Sequence, residues 1–349
     1  MGSLWFALVA VMMAVYVILD GFDFGVGILH LFVARSDEER QTTLAAIGPL
    51  WDGNEVWLLA GGGVLVFAFP KVYAAGFSGF YLPLMMALWL LVLRGLSIEL
   101  RSHEKNWIWR AGWDGMFFVS SLLMAIILGA ALGNVIRGVP LDTAGYFHGP
   151  LFTNFRIGAN PGVLDWYTVL VGVFATVALA LHGACYLLIK TEGAVYDRSK
   201  AIANVLWPLL LVVGVIVTIA TNAVCPALYA HLIARPWTWL LAALIAISAV
   251  GLPVMLRRNN EVMAFLSSVG VLLGLLAATA AGVYPTLLRS TINHPAADLT
   301  VSNSASGRVG LENGLVWWTI ALVLAIVYFT FLFRSFRGKV KLGQSVYGH

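Results

Sequence analysis

The 349 residues could hold two soluble domains, but the composition excludes them: 60% are hydrophobic and only 11% charged, where a globular chain carries roughly 25% charged residues. The formal net charge of +4 is too small an excess to support nucleic-acid binding. Cys185 and Cys225 both lie in apolar runs without metal-ligand spacing and read as packing residues.

The first apolar run starts at Leu4 without a basic leader and continues to Val33, which is the pattern of a retained span rather than a cleaved signal. A helix needs about 20 apolar residues to cross the hydrocarbon core. Nine segments qualify, at about 4–33, 48–69, 74–99, 113–136, 163–190, 203–231, 236–256, 262–287 and 314–333. The expected fold is an all-α polytopic membrane protein forming one transmembrane domain over 1–349. Its acidic motifs fall in the first four spans, within 1–136, and the last five, 163–333, are read as packing and partner contact. The longer connections, 137–162 and 288–313, are rich in Gly, Pro, Ser and Asn.

Lys and Arg set the orientation. Fourteen fall on one set of connections and the C-terminal tail, among them Arg35, Arg40, Arg101, Arg110, Arg198 and Arg337, against six on the other set. The N-terminus is therefore expected outside and the C-terminus in the cytoplasm. Trp51-Asp52-Gly53 and Trp113-Asp114-Gly115 echo one another, too briefly to be a repeat.

Ionisable residues at the bilayer centre cost about 2.5–3.5 kcal/mol on insertion scales and need a reason. Span one carries Asp20 and Asp23 in Leu-Asp-Gly-Phe-Asp-Phe-Gly-Val-Gly. On a helix Tyr16, Asp20, Asp23, Gly27 and His30 share one stripe, about 21 Å long, suited to a proton-conducting path. The bland alternative is that the carboxyls bond neighbouring helices while the glycines permit close packing; two carboxyls followed by a histidine weigh against it. Span two opens Gly-Pro-Leu-Trp-Asp-Gly-Asn-Glu. Asp52 could simply complement the helix N-terminus, but that leaves Asn54 and Glu55 unexplained. Entering from the inner side, Asp52 and Glu55 stand near the mouth, with Asp23 and Asp20 deeper. Arg94 in span three should pair with a carboxylate, with Asp52, Glu55 and Glu99 as candidates, in a structural or a tuning role. His30 and His182 could be imagined as haem ligands, though a lone histidine on a helix is more often a satisfied core residue. Pro208, Pro226 and Pro285 are expected to kink spans six and eight.

These motifs resemble subunit II of the cytochrome bd-type quinol oxidases. The resemblance runs over nearly the whole chain and rests on 19–27, Trp-Asp-Gly-Asn-Glu-Val-Trp-Leu (51–58), Phe-Pro-Lys-Val-Tyr-Ala-Ala-Gly-Phe-Ser-Gly-Phe-Tyr-Leu-Pro (69–83), Leu-Arg-Gly-Leu-Ser-Ile-Glu-Leu-Arg (93–101), the Gly-Asn-Val-Ile-Arg-Gly-Val-Pro stretch and His-Gly-Ala-Cys-Tyr-Leu (182–187). Phe24 stands where the family has a more aliphatic residue, a change expected to have no consequence. The resemblance implies a multi-pass protein of the bacterial cytoplasmic membrane that binds no haem or metal and holds no catalytic residue. It implies a heterodimer with a homologous subunit I carrying haem b, haem d and the quinol site. Small single-span accessory subunits, membrane quinol and lipid are further implied partners, and some members hold a quinone in subunit II. The implied proton path runs from Asp52 to Asp23 and Asp20, supported by Trp51, Asn54, Glu55 and Arg94. A stand-alone proton-coupled transporter and a purely structural scaffold are the rival readings; the first would want an inverted repeat, and none is evident.

Overall fold

A computed structural model describes residues 1–341. It is an all-α bundle with one two-stranded ribbon. Helix α1, Gly2–Val33, is apolar until its buried second half. A short polar helix follows, α2, Asp37–Ile47, within what hydropathy marks as a connection. Ser36 and Glu39 start it with a reciprocal capping box that satisfies two backbone N–H groups. Then come α3, Trp51–Ala68, α4, Pro70–Gly79, and α5, Tyr81–Leu100. The expected span 74–99 is thus two helices. Pro83, in the first turn of α5, has no N–H to return to the preceding turn, so the helix restarts rather than running through.

Helix α6, Trp107–Arg137, starts earlier than the expected 113, and α7, Trp166–Lys190, follows a long loop. The expected span 203–231 is α8, Gly193–Val224, and α9, Pro226–Ile233, divided at Pro226, whereas Pro208 lies within α8 without ending it. Helices α10, Trp239–Arg257, and α11, Glu261–Val283, complete the second half. Pro285 kinks nothing, because α11 stops before it. Strands β1, Thr286–Leu288, and β2, Leu299–Thr300, pair antiparallel ahead of α12, Val301–Ser304, and α13, Arg308–Ser335.

Eight helical stretches among the described residues are long and apolar enough to cross a membrane, against the nine expected. The one not among them is α3, which is long enough at 18 residues but too polar at its start. Its first turns hold Asp52, Asn54 and Glu55.

Helices α1 and α7 form the centre, and their backbones touch at Gly25 and Gly183. A Cβ on Gly25 would stand 2.0 Å from the Leu179 carbonyl oxygen, and one on Gly183 would stand 2.5 Å from the Gly25 Cα. That approach sets the depth at which the acidic half of α1 enters the bundle.

At the end of the bundle rich in Arg and Lys, Glu39 clamps α2 to α8. Its carboxylate takes Arg198 Nη1 at 2.8 Å and Nη2 at 2.9 Å, and the Arg35 amide at 2.6 Å. The Arg198 hydrogen bonds, helped by the backbone donors, pull the Glu39 carboxyl down to about 2. A carboxyl lowered in the folded state stabilises it fully above its ordinary value, and that stability is lost as pH falls through the lowered one. Glu39→Gln is therefore expected to destabilise the protein by about 1.5–3 kcal/mol at neutral pH. The gap to wild type should shrink as pH drops from 4.5 towards about 2. Thermal midpoints of the two forms across that range read the effect.

Candidate functional site

The acidic stretch of α1 faces α3 and α5. Asp20, Asp23, Asn54 and Arg94 are all fully buried. Arg94 reaches in from α5 and donates from Nη1 to Asp20 Oδ1 at 2.5 Å, while its Nη2 lies 3.5 Å from Glu55 Oε1. Asn54, from the second turn of α3, donates from Nδ2 to Asp23 Oδ2 at 2.8 Å and to the Leu19 carbonyl at 3.3 Å. Three helices thus meet at one cluster: α1 supplies the two deep carboxyls, α3 the amide and a third carboxyl, and α5 the cation.

Access is graded. The Glu55 side chain is 19% exposed, and Asp52, one turn earlier on α3, is exposed. Deeper in, Asp20 Oδ2 and Asp23 Oδ1 have no hydrogen-bond partner, nor do Asn54 Oδ1 and Arg94 Nε. Buried polar atoms are normally satisfied, and each exception costs about 1–3 kcal/mol. The buried Tyr16 hydroxyl faces Asp20 and likewise makes no close hydrogen bond. One cation stands against three carboxyls, so Asp23 is the deep acid without an arginine of its own. A carboxyl of that kind, with one oxygen free, can take up and release a proton.

Aromatic rings enclose the guanidinium. Phe24 lies 4.3 Å from Arg94 Cζ and Trp51 lies 6.0 Å from it, each ring turned to the cation. Phe24 is therefore the closer of the two rings against Arg94. Trp51 also fills the space beside Gly95, where a Cβ would meet its ring at 3.0 Å.

The structure brings together six of the seven residues singled out in the sequence, Asp20, Asp23, Glu55, Trp51, Asn54 and Arg94, while Asp52 stands exposed one turn before Glu55 on α3. It corrects the pairing of Arg94. Of the three expected partners only Glu55 is in reach, and the shortest bond goes instead to Asp20. The usable signal was depth: a cation far from either end of its helix needs an equally deep acid.

The two histidines do not present a haem site. His30 engages Thr43 Oγ1 through Nδ1 at 2.8 Å and Asp114 Oδ1 through Nε2 at 2.7 Å. His182 engages Ser268 Oγ through Nδ1 at 2.7 Å and the Ile18 carbonyl through Nε2 at 2.9 Å. Neither ring offers a free nitrogen to an iron, so the donor set does not fit haem. No group of three or more His, Cys, Asp or Glu among the described residues is placed to hold a metal ion.

The sequence profile of the family described as cytochrome bd terminal oxidase subunit II matches residues 1–336. The chain belongs to this family. Among its relatives is the cytochrome bd-I ubiquinol oxidase subunit 2 of Escherichia coli, 31% identical over 353 residues that cover 94% of this chain and 91% of the relative. The cytochrome bd ubiquinol oxidase subunit 2 of Bacillus subtilis is 32% identical over 316 residues, covering 89% and 88%. A chain of the solved bd oxidase from Geobacillus thermodenitrificans superposes with a TM-score of 0.73 at 18% identity, over 96% of this chain and 98% of that one. That likeness establishes a shared fold. As a bd subunit II, the chain is one part of a terminal oxidase, and the Asp20–Asp23–Arg94 cluster lies within the family-matched region.

Proposed function

We propose that this chain is the haem-free subunit II of an electrogenic quinol:oxygen oxidoreductase in the bacterial cytoplasmic membrane. It packs against a haem-bearing subunit I and carries protons from the cytoplasm through Asp52 and Glu55 to Asp23 and Asp20. The observation that carries the reading is the buried pair Asp20 and Asp23, each with one unpartnered oxygen, joined by Arg94 and Asn54 to a third carboxyl that opens outward. The positive-inside orientation supports the direction, since it puts the Asp52 end in the cytoplasm.

Bound in subunit I, the haems supply the redox chemistry. This chain contributes binding surface and proton movement. Reduction of O2 to water consumes protons, and taking them from the cytoplasm while quinol protons leave outside charges the membrane without a pump. Each charge moved stores about 2.3 kcal/mol per 100 mV. Asn54 holds one Asp23 oxygen and leaves the other for the travelling proton. Arg94 likewise holds one Asp20 oxygen and leaves the other free.

Tagged chain purified from native membranes is expected to bring a haem-bearing partner and quinol-dependent O2 uptake with it. Purification with haem bound to the chain itself, or with no haem protein at all, would overturn the assignment. Within the intact complex, Asp52→Asn is expected to slow turnover several-fold with haem content unchanged, because it removes the outermost carboxyl of the path. O2 uptake normalised to haem measures it.

A further inference from the structure

We propose that Tyr16 is an insulating residue. Its ring closes the acid cluster off from an apolar cavity and so stops protons drawn from the cytoplasm leaking outward. The inference rests on the proton-carrying reading of the cluster and supplies the barrier that charging a membrane requires.

The cavity has a volume of about 790 Å3 and lies among α1 and the helices from α6 to α11. At one end it is lined by Ile136, Ile233 and Trp239, where α6 and α9 finish and α10 begins. Ile233 and Trp239 are exposed and open it there, at the end of the bundle opposite the Arg- and Lys-rich connections. Its other end reaches Tyr16 and Val17 on α1 and Leu58 on α3.

The walls are apolar by arrangement as well as by composition. Thr218, Thr238, Ser268, Thr279 and Tyr229 all donate their hydroxyls to main-chain carbonyls. Thr221 pairs with Tyr167. A cavity with such walls stays dry, whereas one that presents a free polar or charged group takes in water.

Tyr16 belongs to both places. Its side chain lines the cavity, yet it is only 1% exposed and its hydroxyl faces Asp20. Asp20 follows one turn later on α1, roughly 6 Å along the axis. None of Asp20, Asp23, Asn54, Glu55 and Arg94 lines the cavity. The Tyr16 hydroxyl has no hydrogen-bond partner, so the side chain supplies bulk rather than a bond. Without the ring, the Asp20 carboxyl becomes the floor of the cavity. A carboxyl there draws water into a space of this size, and the acid path then runs on to the far end of the bundle.

The test places the co-purified oxidase in liposomes without quinol and follows the decay of an imposed pH gradient with an entrapped dye. Tyr16→Ala is expected to speed the decay several-fold, and Tyr16→Phe, which keeps the ring, to match wild type. Adding Asp20→Asn to Tyr16→Ala should restore slow decay, because it breaks the acid path behind the wall. Wild-type decay in Tyr16→Ala overturns the proposal. So does a leak that persists with Asp20→Asn, which marks a general packing defect, or one equally large in Tyr16→Phe. Should Tyr16→Ala fail to assemble, Tyr16→Val removes the ring with less lost volume and decides in its place. Quinol-driven O2 uptake by Asp23→Asn tests the underlying reading separately, since full turnover there removes the path that the wall guards.

Discussion

Arg94→Leu is expected to destabilise the complex by about 3–5 kcal/mol, the usual cost of stripping one partner from a buried ion pair. The side chain is fully buried, as is Asp20, to which it donates at 2.5 Å. Its removal strands Asp20 in an apolar interior and takes the cation away from Glu55 as well. Arg94→Lys is not a conservative change here, since a point charge cannot face Asp20 and Glu55 with two nitrogens and lie flat against Phe24. The double variant Asp20→Leu with Arg94→Leu should recover most of the lost stability, because replacing both members of a buried pair by apolar groups is often neutral. Thermal unfolding of the purified complex, with the singles and the double side by side, measures the coupling. Equal losses in the single and double variants would mean that Arg94 matters for its shape and not for its charge.

The second large effect belongs to the α1–α7 contact. Gly25→Ala adds one carbon, yet that carbon would lie 2.0 Å from the Leu179 carbonyl oxygen and 2.7 Å from the Gly183 backbone. Overpacking costs about 1–3 kcal/mol where side chains can yield. Here the obstacle is backbone, so the two helices must separate, and the variant is expected to assemble poorly or not at all. Gly63→Ala on α3 makes the same chemical change with nothing within 4 Å, and should be neutral or stabilise by up to about 1 kcal/mol. Yield of monodisperse complex for the two variants separates close packing from any general dislike of alanine.

Much of this was legible in the sequence, for a specific reason. Charges are so costly in an apolar span that Asp20, Asp23, Glu55 and Arg94 announce themselves wherever the chain folds. Apolar runs likewise mark most of the crossings. Pairing was harder to read. Arg94 and Asp20 are far apart in the chain, and no local period records that two helices will bring them to one depth. The breaks at Phe80 and Cys225 were foreseeable from Pro83 and Pro226, but a continuous apolar run hid them. The α2 helix was missed because it is short and polar, although Ser36-x-x-Glu39 is a readable start signal. His30 lay on the expected stripe, yet Asp114, which defines its surroundings, was visible only as part of a short echo of the Trp51 motif.

Asp23 is proposed to pass protons onward. The most direct measurement compares wild type with Asp23→Asn in the intact oxidase, reading quinol-driven O2 uptake and haem content on the same sample. Asparagine keeps the size of Asp23 and can still bond Asn54, but cannot hold a transferable proton. Loss of turnover with every haem retained is the predicted result. Full turnover in Asp23→Asn would contradict it, and would make the carboxyls of α1 packing elements of a scaffold.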